Sequence, residues 1–397
     1  MVLLRKRRWL CYCTTKFSRL CVRVTKMSLS SSNFNLLDLS FLELKTWLKS
    51  VKEPVDCADL ITRSIYRQPV TAFGQIAELP LSLMKTLEEK VRLNTIQLLE
   101  KRISRDGRTF KALFLLDDGK TIESTLMLYR NPVSGRERRT VCVSSQVGCP
   151  IGCAFCNTGR QGFERNLRTG EILEQILFLA RDLGNENCEI GPECSSRRIT
   201  NVVFMGMGEP LANYDNVVKA IAALNSPKGL GLGNRQVTVS TCGLTPQIRQ
   251  LATEDLHFEL AISLHSVTNE LRDRMVPSNR KYSLSELMSA SLEFFKRTGR
   301  RPFFEYALFE GLNDSEHDVE DLIRWLGDFK CSINLIIGNP TPNPEFRSSS
   351  MEVAVAFQKR LLEAGFRTMI RAAKGADIEA ACGQLRSRYL REVKNPT

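Results

Sequence analysis

Val141-Cys-Val-Ser-Ser-Gln-Val-Gly-Cys149-Pro-Ile-Gly-Cys153-Ala-Phe-Cys156 carries a short apolar run straight into a loop whose cysteines are spaced C-x3-C-x2-C. That run, Val141–Val143, opens a series: Val202–Met205, Val237–Val239, Phe258–Ile262, Phe303–Leu308, Ile333–Ile337 and Arg367–Ile370 follow, with helical segments between them. Strands that alternate with helices imply an α/β fold built on a mainly parallel sheet whose crossovers are helices. The pattern alone leaves open whether the sheet is open or curled into a partial barrel. In either case ligands gather at the carboxyl ends of the strands. Unusual polar residues stand there: Gly208-Glu209 after the second run, Ser240 after the third, Ser263 and His265 after the fourth, and Asn339 after the sixth. One shared mouth is expected.

Working back toward the N-terminus, residues 38–100 read as a small helical accessory domain. Phe41, Leu44, Leu48 and Val51 recur at helical spacing, and Leu81 to Leu99 carries a similar mixture, with Pro54 and Pro80 as dividers. Residues 101–134 read as a short β linker, a hairpin turning at Asp117-Asp118-Gly119. Residues 135–397 are expected to form the large domain that carries the strand-end residues, so two folded domains are expected.

The chain has 397 residues, with 56 Lys and Arg against 44 Asp and Glu, a net charge of +12. Eight of the basic residues fall within residues 1–37, which contain no acid, and without them the balance is 48 against 44. The body is therefore only mildly basic. The leader, residues 1–37, is Arg- and Ser-rich and acid-poor, which predicts an organelle transit peptide for a chloroplast or mitochondrion, with the cytoplasm as the alternative. Met27 offers a second start, and nothing after the Arg cluster resembles a secretory signal. No apolar run approaches the ~18 residues of a membrane span. In a reducing compartment the 13 cysteines are expected to be metal ligands, reactive thiols or core residues and not a framework of bridges.

Three thiolates from one short loop can hold three corners of an iron–sulfur cube and leave the fourth iron open. A closed zinc site is the alternative, with Cys142, Cys188 or Cys194 as a fourth ligand. Taken without context, Cys382 is a small helix residue beside Ala380 and Ala381, Glu123 is a surface acid of the hairpin, and Cys57, Cys188, Cys194, Cys242 and Cys331 are core or loop residues.

The cysteine spacing, with Phe155 before the last cysteine, resembles the signature of radical S-adenosylmethionine (SAM) enzymes. Val141–Cys149, Thr158-Gly-Arg-Gln-Gly-Phe-Glu-Arg-Asn-Leu167, Met205-Gly-Met-Gly-Glu-Pro-Leu211 and Gly375-Ala-Asp-Ile-Glu-Ala-Ala-Cys-Gly-Gln-Leu385 together resemble the bacterial dual-specificity RNA adenine-C2 methyltransferases. The resemblance implies a partial (β/α) barrel and a 4Fe-4S cluster on Cys149, Cys153 and Cys156. It also implies SAM contacts at Gly208, Glu209, Ser240, Ser263, Leu264, His265 and Asn339.

For the chemistry it implies two SAM molecules, one as methyl donor and one as radical source. The first methylates Cys382 to S-methylcysteine, and the radical from the second removes a hydrogen atom from that methyl group. The methylene radical then adds to C2 of adenosine, giving a transient protein–RNA thioether. Cys142 is implied to resolve it through a disulfide with Cys382, and Glu123 to accept the proton. The implied partners are rRNA and/or tRNA and an electron donor such as flavodoxin or ferredoxin, with no membrane, and the chain acting as a monomer.

Lys374, Ala376 and Ile337-Gly-Asn339-Pro depart from the family pattern, and Gly184–Arg198 reads as a surface insertion. Arg160, Arg165, Arg168, Arg371 and Lys374 are candidates for lining the mouth against RNA phosphates. Two other readings stand beside this one. A sister group with the same cysteines methylates C8, against which Gly208-Glu209-Pro210 and Gln161-Gly-Phe163 speak. A non-catalytic iron–sulfur or zinc RNA-binding module would need neither Cys142 nor Cys382.

Overall fold

The computed structural model describes residues 33–130, 134–183, 198–327, 329, 331–337, 343–371, 375–378 and 382–394. Three helices come first: α1 (Phe41–Ser50), α2 (Cys57–Arg67) and α3 (Leu81–Lys90). Ser40 opens α1 with a reciprocal cap, its hydroxyl accepting from the Glu43 N–H while the Glu43 carboxylate accepts from the Ser40 N–H. Leu44, Trp47, Leu48, Ile61 and Leu83 bury one face of these helices in the same hydrophobic core as the strands that follow. Each side chain of this size contributes about 2 kcal/mol on burial, so the helices are bound to the sheet and share its core.

The segment from Leu81 to Leu99 is helical only to Lys90. Asn94 sits at φ 60°, and from Ile96 the chain is a strand, β1 (Ile96–Ile103). A bulge between Leu98 and Glu100 interrupts the pairing and breaks the two-residue alternation by which a strand is read. The expected short β linker is also larger than its sequence suggests. β1, β2 (Thr109–Leu116), β3 (Thr121–Arg130) and β4 (Glu137–Cys142) form an antiparallel run, with the hairpin turn between β2 and β3. Because β4 goes on to pair with the next strand in parallel, these strands extend the main sheet.

The parallel part is β4, β5 (Asn201–Phe204), β6 (Val237–Thr241), β7 (Glu259–Ser263), β8 (Phe303–Leu308), β9 (Ser332–Ile337) and β10 (Arg367–Arg371), each beside its predecessor. Helices Thr169–Asp182, Tyr214–Asn225, Thr245–Leu251, Leu284–Thr298, Glu316–Leu326 and Met351–Glu363 occupy the successive crossovers. Strand order follows chain order with no reversal. Right-handed crossovers then lay the helices on one side, and the twisted sheet curls into a partial barrel with β1 and β10 as its edges.

Side-chain alternation separates the two faces. Leu260, Ile262, Phe304, Ile333 and Leu335 are fully buried, and Phe304 and Tyr306 meet Trp325 and Phe357 of the outer helices. The opposite parity carries Cys142, Ser240, Ser263, Glu305, Asn334 and Arg371, aligned across the sheet by the register of its strands. A polar inner face on a barrel whose outer face is apolar is a ligand chamber. Among the described residues, no helix is long and apolar enough to cross a membrane.

Candidate active site

The cysteine loop is held at the carboxyl end of β4 by a small ribbon, Gln146–Gly148 paired with Phe163–Asn166. Gly148 lies at φ +76°, and a Cβ there would come 1.8 Å from the Gly162 carbonyl oxygen, so only glycine allows the ribbon to close. The Cys149 N–H donates to the Gly162 oxygen (2.9 Å) and the Ala154 N–H to the Met275 oxygen (3.1 Å). Phe155 anchors the loop from within, its ring edge-on to His265 at 5.0 Å and close to Phe309 and Phe346.

Burial pushes the thiols of Cys149 and Cys156 up, against the pull of backbone N–H groups, from Ile151 toward Cys149 and from Gly159 and Thr158 toward Cys156. A pocket that disfavours bare thiolates yet aims N–H donors at the sulfurs fits a site where a metal cluster supplies the missing positive charge. Among the described residues no three of His, Cys, Asp and Glu converge closely enough to hold a single metal ion.

The described residues assigned to SAM by resemblance stand at the strand ends beside this loop. Gly208 sits at φ +104°, where a Cβ would come 2.6 Å from the Gln146 Cβ. Glu209 is buried, and burial raises its carboxyl pKa. Its Oε2 accepts from the Cys242 N–H (2.7 Å) and its Oε1 from the Leu211 N–H (3.0 Å). The carboxylate thus braces the turn, and what the turn offers a ligand is main chain. Ser240 and Ser263 are brought together on adjacent strands, hydroxyl to hydroxyl at 3.5 Å. Leu264 is fully buried and donates its N–H to the Glu305 main-chain carbonyl oxygen (3.0 Å). His265 sits at φ 60°, accepts the Ala307 N–H on Nδ1 (3.1 Å), and is lowered to about 3 by burial and by Arg272. It is a neutral imidazole with its proton on Nε2. Asn339, Lys374, Cys188, Cys194 and residues 1–32 lie outside the described residues, as does the side chain of Ala376.

Cys382 lies against the same loop, its Sγ 3.2 Å from the Thr158 hydroxyl. Gly383 follows at φ +77° and donates its N–H to Glu123 Oε2 (2.8 Å), while the Arg386 N–H is received by Oε1. Glu123 is therefore not the surface acid that its hairpin suggested. It is 3% exposed and ion-paired at 2.9 Å with Lys111, which is fully buried. Cys142 lies on the neighbouring strand, paired with Thr125. Burial pushes its thiol up to about 11, and Lys111 and Glu123 both act on it electrostatically. The Cys382 thiol is also raised well above its ordinary value, first by burial and then by Cys156, Glu123 and Cys142. Both thiols are reduced in the structure. The geometry thus gathers two half-buried thiols and a buried acid side chain beside the cluster loop.

Two other residues of the site were not singled out by the sequence. Cys242, expected in the core or a loop, has its Sγ 3.9 Å from that of Cys153. Arg272, one of several charges on the helix Asn269–Met275, is 1% exposed. It donates to the carbonyl oxygens of Leu264 (3.0 Å), Cys242 (2.8 Å) and Ser263 (3.1 Å) and to Asn279 Oδ1 (2.8 Å), tying two strand ends together. No local pattern announces either role. The basic candidates for RNA divide: Arg165 is held by Asp118 and Glu171, Arg168 lies near Asp38 and Glu171, and Arg371 faces Glu305, whereas Arg160 is exposed.

A singly wound partial barrel with three loop cysteines at the strand ends defines a radical SAM protein, and residues 143–326 match the radical SAM superfamily. The chain is 42% identical over 359 residues to the probable dual-specificity RNA methyltransferase RlmN of Thermotoga petrophila, covering 90% of this chain and 99% of that protein. It is 43% identical over 326 residues to the RlmN of Moorella thermoacetica, 82% of this chain and 89% of that one. The crystal structure of a radical SAM methyltransferase from Sphaerobacter thermophilus superposes with a TM-score of 0.81 at 39% identity, over 88% of this chain and 98% of that one. The chain belongs to the RlmN family of radical SAM RNA methyltransferases.

Proposed function

We propose that this enzyme methylates C2 of adenosine in rRNA, tRNA or both, using Cys382 as the carrier of the methyl group. The observation that carries this reading is the convergence of Cys382, Cys142 and Glu123 beside the cysteine loop. A ring carbon with no acidic proton is a poor acceptor for direct methyl transfer, and a carrier thiol with a second thiol to release it answers that problem. Cys149, Cys153 and Cys156 would hold a 4Fe-4S cluster, with Gly208, Glu209, Ser240, Ser263, Leu264, His265 and Asn339 around SAM. When bound, cluster and SAM supply the methyl group, the hydrogen-abstracting radical, and the acceptor for the surplus electron of the base adduct.

The protein's own residues do the rest. The Cys382 sulfur receives the methyl group, and its S-methylene carbon later joins C2 as a thioether. Glu123, held by Lys111 and two backbone N–H groups, takes the C2 proton. The Cys142 thiolate attacks the Cys382 sulfur, the S–C bond breaks toward the base, and the released methylene carbon gains a proton to become methyl. The two cysteines leave as a disulfide that a reductant must reopen. Since Cys142 is pushed up to about 11, it acts only when a neighbouring group takes its proton. A base buried in a duplex cannot reach this chamber, so the target must be unpaired or flipped. The enzyme acts as a monomer fed by a flavodoxin- or ferredoxin-type donor, and the basic leader directs it to an organelle. A full-length reporter that stays in the cytosol would contradict that last point.

The test is the Cys142→Ala variant incubated anaerobically with RNA, SAM and reductant. A covalent protein–RNA adduct is expected, absent when Cys382→Ala is added. An adduct that persists without Cys382 would exclude it as the carrier.

A further inference from the structure

The inner face of the barrel holds a polar cluster that the chemistry above leaves unused. Glu305 of β8 and Asn334 of β9 are register partners, level with Ser263 of β7. They are 4% and 3% exposed. Asn334 Nδ2 donates to Glu305 Oε1 (3.1 Å), and an Arg371 guanidinium nitrogen lies 3.3 Å from the same oxygen. This fixes the amide, because the opposite orientation would set Asn334 Oδ1 against the carboxylate. Two acceptors are left over, Glu305 Oε2 and Asn334 Oδ1, both buried and with no donor among the described residues. Buried polar atoms are rarely left in this state without a use.

Their surroundings point to the substrate. Arg371 reaches across the chamber, with Nη1 3.9 Å from Met205 Sδ just past the end of β5. Its charge is also felt at Cys142 on β4, the strand beside β5. The acceptor pair thus lies one guanidinium away from Met205, just past the end of the strand beside the one that carries Cys142. Burial raises the Glu305 carboxyl pKa, while Arg371 and Asn334 pull it back.

We infer that Glu305 and Asn334 receive the exocyclic amine of the target base and so make the enzyme select adenine. This rests on the function proposed above. The adenine amine carries two N–H donors and is separated from C2 only by N1 and C6, so a base with C2 at the thiols presents its amine nearby. Hypoxanthine and guanine carry a carbonyl oxygen at that place, which would face two acceptors. A site built around hydrogen-bonded groups rejects a partner that leaves them unmet far more strongly than an apolar pocket does.

The experiment compares RNA substrates with adenosine, purine riboside or inosine at the target position, all of which keep a C2–H. Wild-type enzyme should prefer adenosine over inosine in kcat/KM by on the order of 100-fold or more, with purine riboside between them. Glu305→Gln replaces one acceptor with an amide of the same shape that can also donate. It should lower the adenosine-to-inosine ratio at least about tenfold, whatever it does to the absolute rates. Equal use of adenosine and inosine by the wild type would overturn the inference. So would a Glu305→Gln variant that slows both in proportion, the signature of a purely structural role. Absence of 2-methyladenosine from the wild-type reaction on the adenosine RNA would instead overturn the proposed function.

Discussion

Replacing Arg272 by Met keeps the length of the buried stem and removes the guanidinium that joins two strand ends. Four hydrogen bonds are lost, to Leu264, Cys242, Ser263 and Asn279. The Leu264 carbonyl still accepts the Ser266 N–H at 2.8 Å, which leaves the other three buried acceptors each short of a donor. At about 1 kcal/mol apiece the loss is about 3 kcal/mol. The desolvation that lowers the Arg272 pKa to about 10 acts in the opposite sense, because removing a buried charge relieves it, and so keeps the loss from being larger. Arg272→Lys, which retains the charge without the planar fork, should lose less. Urea unfolding of the reduced apoprotein measures both, read as a change in midpoint at constant slope. A Met variant within about 1 kcal/mol of wild type, or a Lys variant no better than Met, would refute the assignment of Arg272 as the brace of the strand ends.

Acid should weaken the fold through His265. Its pKa is about 3 in the folded chain against the ordinary 6.5, so as pH falls only the unfolded chain takes up the proton. The stability it contributes is complete above 6.5 and is lost as pH falls toward the folded value, at about 1.4 kcal/mol per pH unit. His265→Gln should flatten that part of the profile, and an unchanged slope would contradict the assignment. Gly383→Ala should displace Cys382, because at φ +77° the new Cβ would come 2.5 Å from Thr158 Oγ1 and 2.8 Å from Thr158 N. Intact-protein mass spectrometry should find little methyl on Cys382 at normal iron content, and full methylation would show that this contact does not position the thiol.

The parallel strands were legible because each is a short apolar run between turn signals, and the strand-end residues because the fold class says where ligands gather. β1 was not, since its bulge breaks the alternation that marks a strand. Long-range burial was the other obstacle. Glu123 looked like a hairpin acid because its partners Gly383 and Arg386 are 260 and 263 residues away. Lys111, its ion-pair partner, sits unremarked in the middle of β2. Cys242 approaches Cys153 across 89 residues, and Arg272 is drawn inside by carbonyls at two strand ends. In each case the partners meet only once the barrel has closed, so no window of sequence contains the signal.

The central claim, methylation of adenosine at C2 through Cys382, is tested most directly by nucleoside mass spectrometry. Unmodified rRNA and tRNA would be incubated anaerobically with reconstituted enzyme, SAM and reductant, beside a Cys382→Ala control. The account predicts 2-methyladenosine with the wild type and none with the control. Product at C8, or 2-methyladenosine that survives loss of Cys382, would contradict it.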